Sequence, residues 1–342
     1  MLRKMIVLCI GFCLVFSVFC SKVNEIDRIS NADAFVGQWA LDLPNGAGWL
    51  GVNRESGELE AELLWYGGSV TPVASAELKG DTLVVTRSYS RVLEKDGKGY
   101  NVRTLILTSW YEFWRHGDNL IGVARMPRRN TGFDEIKFTG KKSPELPDPT
   151  DLSQIKYGES VTLFNGKDLT GWKIIDPESK NGFKVEDGVL INDPVQPEEG
   201  PHIRYGNLRT VQEFGDFNLE IDVNVPKGSN SGIYLRGIYE VQVSDSYGRE
   251  LDSHHMGGIY SRIAPTVSAE KPAGEWQTFD ITLCDRHVTV NLNGTMIINN
   301  QPLLGVTGGA LTADEFSPGP IYLQGDHGKV SYRNIVLTPI VN

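Results

Sequence analysis

Asp216-Phe217-Asn218-Leu219-Glu220-Ile221-Asp222-Val223-Asn224-Val225 alternates without a break. Phe217, Leu219, Ile221, Val223 and Val225 share one face, and Asn218, Glu220, Asp222 and Asn224 share the other. A period of two belongs to a strand with one buried and one wet face. Thr278 to Cys284 repeats it, with Phe279, Ile281 and Leu283 inward. Val288, Val290 and Leu292 then run into Asn293-Gly294, the dipeptide of a type I′ hairpin, and Asp187-Gly188 is a similar turn. No segment of useful length has a helical period. Residues 159–342 are therefore expected to form a two-sheet antiparallel sandwich, a jelly roll.

Upstream, Ser143 to Gly158 is acidic and polar and is interrupted by Pro144, Pro147 and Pro149. Proline removes helix hydrogen bonds, so residues 144–158 read as an extended linker. Residues 35–143 read as a second, smaller β domain, an antiparallel barrel or sandwich. Its strand-like runs are Leu59 to Trp65, Thr82 to Tyr89, Arg103 to Trp114 and Asn119 to Arg125. Turn signals at Gly67-Gly68, Gly80-Asp81, Asp96-Gly97 and Gly117-Asp118 separate them. Gly37-Gln38-Trp39 resembles the G-x-W that opens lipocalin-like barrels, where the Trp has a structural role. The fold class is thus all-β in both domains.

The first twenty residues read as a targeting segment. Arg3 and Lys4 precede the apolar run Met5 to Phe19, a charged region followed by an apolar one, as in a secretory signal. The run is short for a membrane span, which needs about 20 apolar residues. Residues 1–20 are expected to be removed on export to the periplasm. Alternatively, Cys20 carries a lipid that anchors the chain at the outer membrane, with residues 21–34 as a tether; no other membrane contact is expected. Three of the four Cys lie in this segment, so Cys284 stands alone in the body and no internal disulfide can form.

The chain has 342 residues and a net charge of −10, with 43 acidic and 33 basic side chains. Such a balance argues against a nucleic-acid partner, which favours a basic face. It specifies no oligomeric state.

The chemistry is carried by polar residues on the wet faces of strands. Along Ile233 to Val243 the even positions are Tyr234, Arg236, Ile238, Glu240 and Gln242. If Gly237 leaves the register intact, Arg236, Glu240 and Gln242 line one surface; a bulge there reverses part of that. Tyr322 and Gln324 likewise share a parity before Gly325-Asp326-His327-Gly328 turns the chain and places a His at a strand end. Asn230-Ser231-Gly232 and Lys271-Pro272-Ala273-Gly274-Glu275-Trp276 are polar loops, the second with a Trp whose face suits a sugar ring. His254-His255 follows Asp252 in a loop, and joint metal ligation by the pair needs that loop to bend.

These residues also carry a resemblance. Leu163-Phe164-Asn165-Gly166-Lys167-Asp168-Leu169-Thr170-Gly171-Trp172 resembles the opening of the bacterial 3-keto-disaccharide hydrolase domain family. The likeness continues through Ser229 to Gly237, Tyr239 to Gln242, Gly258-Ile259-Tyr260, Lys271 to Trp276, Leu292-Asn293-Gly294 and Leu323 to His327, and closes at Arg333-Asn334-Ile335. It covers about residues 159–340 and leaves the N-terminal domain out. One departure is Gly325, inserted where the family often reads Gln-Asp-His-Gly. The resemblance implies a concanavalin A-like sandwich acting on 3-keto-glycosides by hydrolysis or lyase chemistry.

A ketone at C3 of a sugar acidifies the C2 proton, so a base can make an enolate that expels the C1 aglycone. Water can then add across the new double bond. The route needs a base, an acid and donors for the enolate oxygen. The catalytic candidates are Glu240 and His327 as base or acid, Arg236 and Gln242 as oxygen clamps, and Lys271. The substrate-binding candidates are Asn230, Ser231, Tyr234, Tyr260, Trp276 and Gln324. A divalent metal as Lewis acid is an alternative to the clamp, with Glu240, Asp245 and His255 as candidate ligands; no other cofactor is expected. Two rival readings stand. A conventional glycosidase needs two placed carboxylates, and Glu220-Ile221-Asp222 begins an E-x-D-x-x-E run that Val225 fails to complete. A sugar-binding protein without catalysis would use the same aromatics and polar floor.

Overall fold

The computed structural model describes residues 32–128 and 131–341. The expected signal peptide, Cys20 and most of the tether lie outside the described residues. The chain divides into two compact units. The first takes in the described residues up to Pro44, Leu50–Leu63 and Thr71–Lys142; the second takes in Asn45–Trp49, Leu64–Val70 and everything from Ser143 onward. Both are built from antiparallel sheets, as the alternating sequence predicts.

The first sheet has nine strands: β1 (Gly37–Leu43), β2 (Gly46–Glu55), β3 (Glu58–Trp65), β4 (Thr71–Pro72), β5 (Ser75–Lys79), β6 (Thr82–Lys95), β7 (Asn101–His116), β8 (Asn119–Pro127) and β9 (Phe133–Lys142). Their order is β4-β3-β2-β1-β9-β8-β7-β6-β5. Each strand pairs with its sequence neighbour except that β1 pairs with β9 and no β4–β5 ladder forms. A meander whose last strand returns to its first is the connectivity of an up-and-down barrel. Trp39 is fully buried at its start, donates from Nε1 to the Phe35 carbonyl at 2.7 Å, and is covered by Arg115 and Lys142. Its role is structural, as its position predicts. The β6–β7 hairpin runs further than the sequence runs suggested, pairing as far as Lys95 and Asn101.

Fourteen more strands follow among the described residues: β10 (Lys156–Tyr157), β11 (Val161–Thr162), β12 (Trp172–Ile174), β13 (Phe183–Glu186), β14 (Val189–Asn192), β15 (Leu208–Thr210), β16 (Phe217–Asn224), β17 (Asn230–Leu235), β18 (Tyr239–Ser244), β19 (Trp276–Cys284), β20 (His287–Leu292), β21 (Thr295–Pro302), β22 (Tyr322–Leu323) and β23 (Val330–Val341). They form two sheets. One has the order β13-β14-β23-β16-β19-β20-β21, with β10 and β11 also on β23; the other runs β12-β15-β22-β17-β18. Phe217, Leu219, Ile221 and Val223 are buried on β16, as are Phe279, Ile281 and Leu283 on β19 and Val288, Val290 and Leu292 on β20. Ile233, Leu235, Val241, Val243 and Leu323 are buried on the five-stranded sheet. Burial of one face of each sheet is the driving force of a sandwich. The inner faces also exchange one polar contact, Ser231 Oγ to Tyr332 Oη at 2.7 Å.

The two sequence turns are in place. Asp187 and Gly188 have φ of +50° and +79°, and Asn293 and Gly294 have +53° and +81°. Asp222 departs from the wet-face expectation. It is largely buried, and Thr278, Arg333 and Asn334 donate to its carboxylate, so its charge is fully answered. Those three partners hold its carboxyl below the usual range against the opposing pull of burial.

Candidate active site

β17, β18 and β22 bring the site together through parity. Tyr234 pairs with Glu240 on one side and with Tyr322 on the other, while Gly232 pairs with Gln242. Directly opposed residues point to the same face, so one face collects Asn230, Gly232, Tyr234, Glu240, Gln242 and Tyr322. The neighbouring residues Ile233, Leu235, Val241 and Val243 go to the core. The collecting face opens on a cavity of about 300 Å³. Asn230, Tyr234, Glu240, Gln242, Tyr322, Gln324, Asp326 and His327 line it, with Asn207, Tyr260 and the glycine pairs Gly67-Gly68 and Gly308-Gly309. The volume falls at the lower end of the range of roughly 300–1,000 Å³ usual for small-molecule sites.

Glu240 is the buried acid of this cavity, only 4% exposed. Tyr234 Oη lies 2.7 Å from its Oε2 and 2.7 Å from the Gly308 carbonyl. Thr307 Oγ1 accepts from the Glu240 backbone N–H at 2.8 Å. Burial pushes the Glu240 carboxyl up to about 7, against the pull of the Tyr234 hydrogen bond and the His327 charge. Gly232 makes room for it: a Cβ there would overlap the Glu240 carboxylate. Tyr234 stacks on Tyr322 at a centroid distance of 3.8 Å, which fixes its ring.

His327 sits at the opposite kind of balance. Its Nδ1 donates to Asp326 Oδ1 at 2.7 Å. That bond raises the imidazole above its ordinary value; burial opposes the rise, and the charges of Asp326 and Glu240 support it. Burial works to raise Asp326, but the His327 bond and charge outweigh it and hold the carboxyl low. Gln324 Oε1 is buried and has no partner among the described residues. Gln242 Oε1 accepts from the Val243 N–H at 2.9 Å, a bond that leaves the Nε2 donors for another acceptor.

Of the sequence candidates, Glu240, Gln242, His327, Asn230, Tyr234, Tyr260 and Gln324 are brought to this cavity. The others go elsewhere. Arg236 leaves the face because Ile233 to Val243 is two strands and a turn: Arg236 and Gly237 adopt φ of +50° and +69°. Its guanidinium donates to the Glu315 carbonyl in a buried cluster with Tyr239 and Arg286. Lys271 ends on the Trp276 carbonyl at 3.1 Å, and Trp276 lies under Arg333, 4.0 Å from its ring centroid. Ser231 has the core parity and is fully buried. Asp245 accepts from the Gly228 N–H, and His255 Nδ1 lies 2.7 Å from the Glu250 carbonyl. The proposed metal ligands Glu240, Asp245 and His255 therefore do not converge, and among the described residues no three His, Cys, Asp or Glu side chains are placed to hold a metal ion.

Sequence reading missed Asn207 and the two glycine pairs as cavity residues, whereas the closeness of Asp326 to His327 already pointed to that pair. Asn207, in the loop before β15, offered no signal. The glycosidase pattern fails in space as well: Asp222 and its partner Arg333 both belong to the nine-stranded sheet, not to the five-stranded sheet that lines the cavity.

The sequence model of the 3-keto-alpha-glucoside-1,2-lyase-like domain family matches residues 159–338. A 3-keto-disaccharide hydrolase of Bacteroides thetaiotaomicron is 26% identical over an alignment that covers 34% of this chain and 49% of the relative. The chain thus spans about half the length of that curated relative. Two crystal structures of Parabacteroides distasonis proteins assigned as glycosyl hydrolases are also similar. One is 30% identical, with 57% of this chain and 93% of the other covered and a TM-score of 0.43. The second is 23% identical, with 53% and 94% covered and a TM-score of 0.45.

Proposed function

The chain belongs to the 3-keto-alpha-glucoside-1,2-lyase-like domain family, and from that premise we propose that its cavity cleaves 3-keto-glycosides by taking the C2 proton and eliminating the C1 aglycone. The observation that carries this reading is the pairing, in one cavity, of Glu240 with a pKa near 7 and His327, whose imidazole the Asp326 hydrogen bond raises above its ordinary value. A base serves best when its pKa lies near the working pH. Glu240 takes the C2 proton, and the C–H electrons become an enolate on the C3 oxygen. Gln242 Nε2 and protonated His327 answer the negative charge. The enolate re-forms the C3 ketone, a C1–C2 double bond appears, and the C1–O bond breaks toward the aglycone, which takes a proton from His327. Hydrolysis follows if water adds its hydroxyl to C1, its other proton passing to the now neutral His327, and C2 recovers the proton from Glu240.

Tyr234 supports both states of Glu240. A hydroxyl has one proton to give. It donates to Oε2 when the carboxylate is ionised and to the Gly308 carbonyl once Glu240 holds a proton. The unpartnered Gln324 Oε1 is an acceptor suited to a sugar hydroxyl. The charged start Arg3-Lys4 and the apolar run behind it support the reading that the protein is exported and acts outside the cytoplasm.

The test is aglycone release from a 3-keto-glucoside beside release from the unoxidised parent. The keto-sugar should be cleaved faster, and Glu240→Gln should lower turnover by ~10²–10⁴-fold, the usual share of acid–base catalysis. Faster cleavage of the parent, or full activity in both Glu240→Gln and His327→Ala, would overturn the reading.

A further inference from the structure

Residues 64–70 lie far upstream of the family-matched span, yet they belong to the same compact unit as the cavity. Gly67 and Gly68 line the same cavity as Glu240 and His327. The segment is fixed there by a backbone hydrogen bond and by a close approach that only glycine permits. The Gly309 N–H donates to the Tyr66 carbonyl at 3.1 Å, and a Cβ on Gly308 would overlap the backbone of Gly68. Residues 45–49 add a second support: a Cβ on Gly305 would overlap the Trp49 ring, and Arg262 covers that ring at 4.4 Å.

The far side of the segment is latched by side chains. Ser69 Oγ lies 2.8 Å from His254 Nε2, and His254 Nδ1 lies 2.6 Å from Asp252 Oδ1. The His254 ring packs edge-on against Tyr260, which itself lines the cavity. Next along, the Val70 N–H donates to Ser261 Oγ at 3.0 Å. The segment is thus tied to the loop that carries Gly308, the acceptor of Tyr234, and to the loop that carries Tyr260.

We propose that residues 66–69 form a wall of the substrate cavity and select the leaving group of the 3-keto-glycoside by its size. The proposal rests on the keto-glycoside reading of the same cavity. The chemical groups Glu240, Gln242 and His327 all come from residues 159–338 and must meet the reacting ring. The wall offers no side chain at Gly67 or Gly68, only backbone and space. Bare backbone in the cavity that holds the catalytic groups accommodates what is attached to the ring rather than the ring's own chemistry. Selection by shape of this kind is worth ~10–200-fold per small group.

The test narrows the wall at Gly67, where a Cβ meets nothing within 4 Å and the backbone is not left-handed. Gly67→Phe and Ser69→Ala are compared with the wild type on methyl 3-keto-glucoside and on a 3-keto-disaccharide. Gly67→Phe should shift the kcat/KM ratio at least tenfold toward the methyl glycoside. Ser69→Ala should raise KM for the disaccharide more than it lowers kcat. Calorimetric binding of both sugars to Glu240→Gln, with and without Gly67→Phe, reads the wall without turnover. Selective loss of disaccharide binding there supports the wall even where the wild type turns over neither sugar, an outcome that would overturn only the reaction. Equal effects on both sugars, or no effect, in variants that melt like the wild type would overturn the wall.

Discussion

Tyr234 and Glu240 face each other across the β17–β18 ladder with Oη 2.7 Å from Oε2, inside a cavity that burial has made hostile to charge. The hydrogen bond favours the ionised acid and burial favours the neutral one, and the balance sits near 7. As a base, Glu240 works only when ionised, so kcat/KM should rise as pH passes through about 7. Tyr234→Phe removes the bond that favours the charge. A hydrogen bond to a charged group contributes ~1.5–3 kcal/mol, so the acid limb should move upward by about one pH unit or more. A profile that shifts downward, or not at all, would contradict the role given to this pair.

Asp326 acts on the other limb. It raises His327, so the acid remains protonated above the ordinary histidine value. Asp326→Asn keeps the shape and removes the charge. His327 then loses its proton at lower pH, and the alkaline limb of kcat/KM should move down; the acid limb should move down less, because the Asp326 charge is only a minor contributor to the raised Glu240. The measurement is the full pH profile of both proteins, with imidazole titration followed by NMR.

Gly232 is a spacing residue. Its Cβ position is already occupied by the Glu240 carboxylate. Gly232→Ala should push that carboxylate off the reacting C2 position. A displacement of about 1 Å costs ~10²-fold in rate, so kcat should fall by that order. KM for a 3-keto-glucoside should change far less. Wild-type kcat in Gly232→Ala would show that Glu240 is not the base.

The β alternation of residues 216–225 and 278–284 was legible because burial of one face enforces period two. The same parity made Tyr234, Glu240 and Gln242 legible, since paired residues keep their face across the β17–β18 hairpin. Arg236 was misread because two consecutive residues with positive φ end the strand, and an Arg in that conformation leaves no mark in a hydrophobicity pattern. Ser231 was misread for a related reason: its hydroxyl satisfies Tyr332 within the core, and a small polar residue at an inward position looks like a loop residue. The place of segment 64–70 at the cavity left no mark in the sequence. Ser69 and His254 are 185 residues apart, and Gly67-Gly68 reads locally as a turn.

Arg236 and Lys271 separate structure from chemistry. Arg236 is buried with Glu315 and Tyr239 rather than in the cavity, and Lys271 closes its own loop on the Trp276 carbonyl. Arg236→Lys should lower the melting temperature, because a buried carbonyl loses its donor at a cost of about 1–3 kcal/mol. Lys271→Met should do so weakly. Turnover of a 3-keto-glucoside should stay within about threefold of the wild type in both, far from the ~10²-fold or larger loss expected of an acid–base group. A loss of that size in a variant that remains folded would return Arg236 to the oxygen-clamp role.

Glu240 also makes a stability prediction that is independent of any substrate. Its folded-state pKa, about 7, lies above the value near 4.5 of an exposed glutamate. Between those values the folded state holds a proton that the unfolded state has released, so stability falls as pH rises. The fall begins near pH 4.5 and is complete above pH 7. A shift of this size corresponds to roughly 3 kcal/mol as an order of magnitude. Glu240→Gln removes the titrating group and keeps the side-chain length. The variant's stability relative to wild type should therefore increase as pH is raised from 4 to 8, with most of the gain before about pH 7.5. Denaturant unfolding of both proteins across that range measures it. A difference that is flat with pH would mean that Glu240 is ionised as easily in the fold as in water, and the case for a tuned base would fall with it.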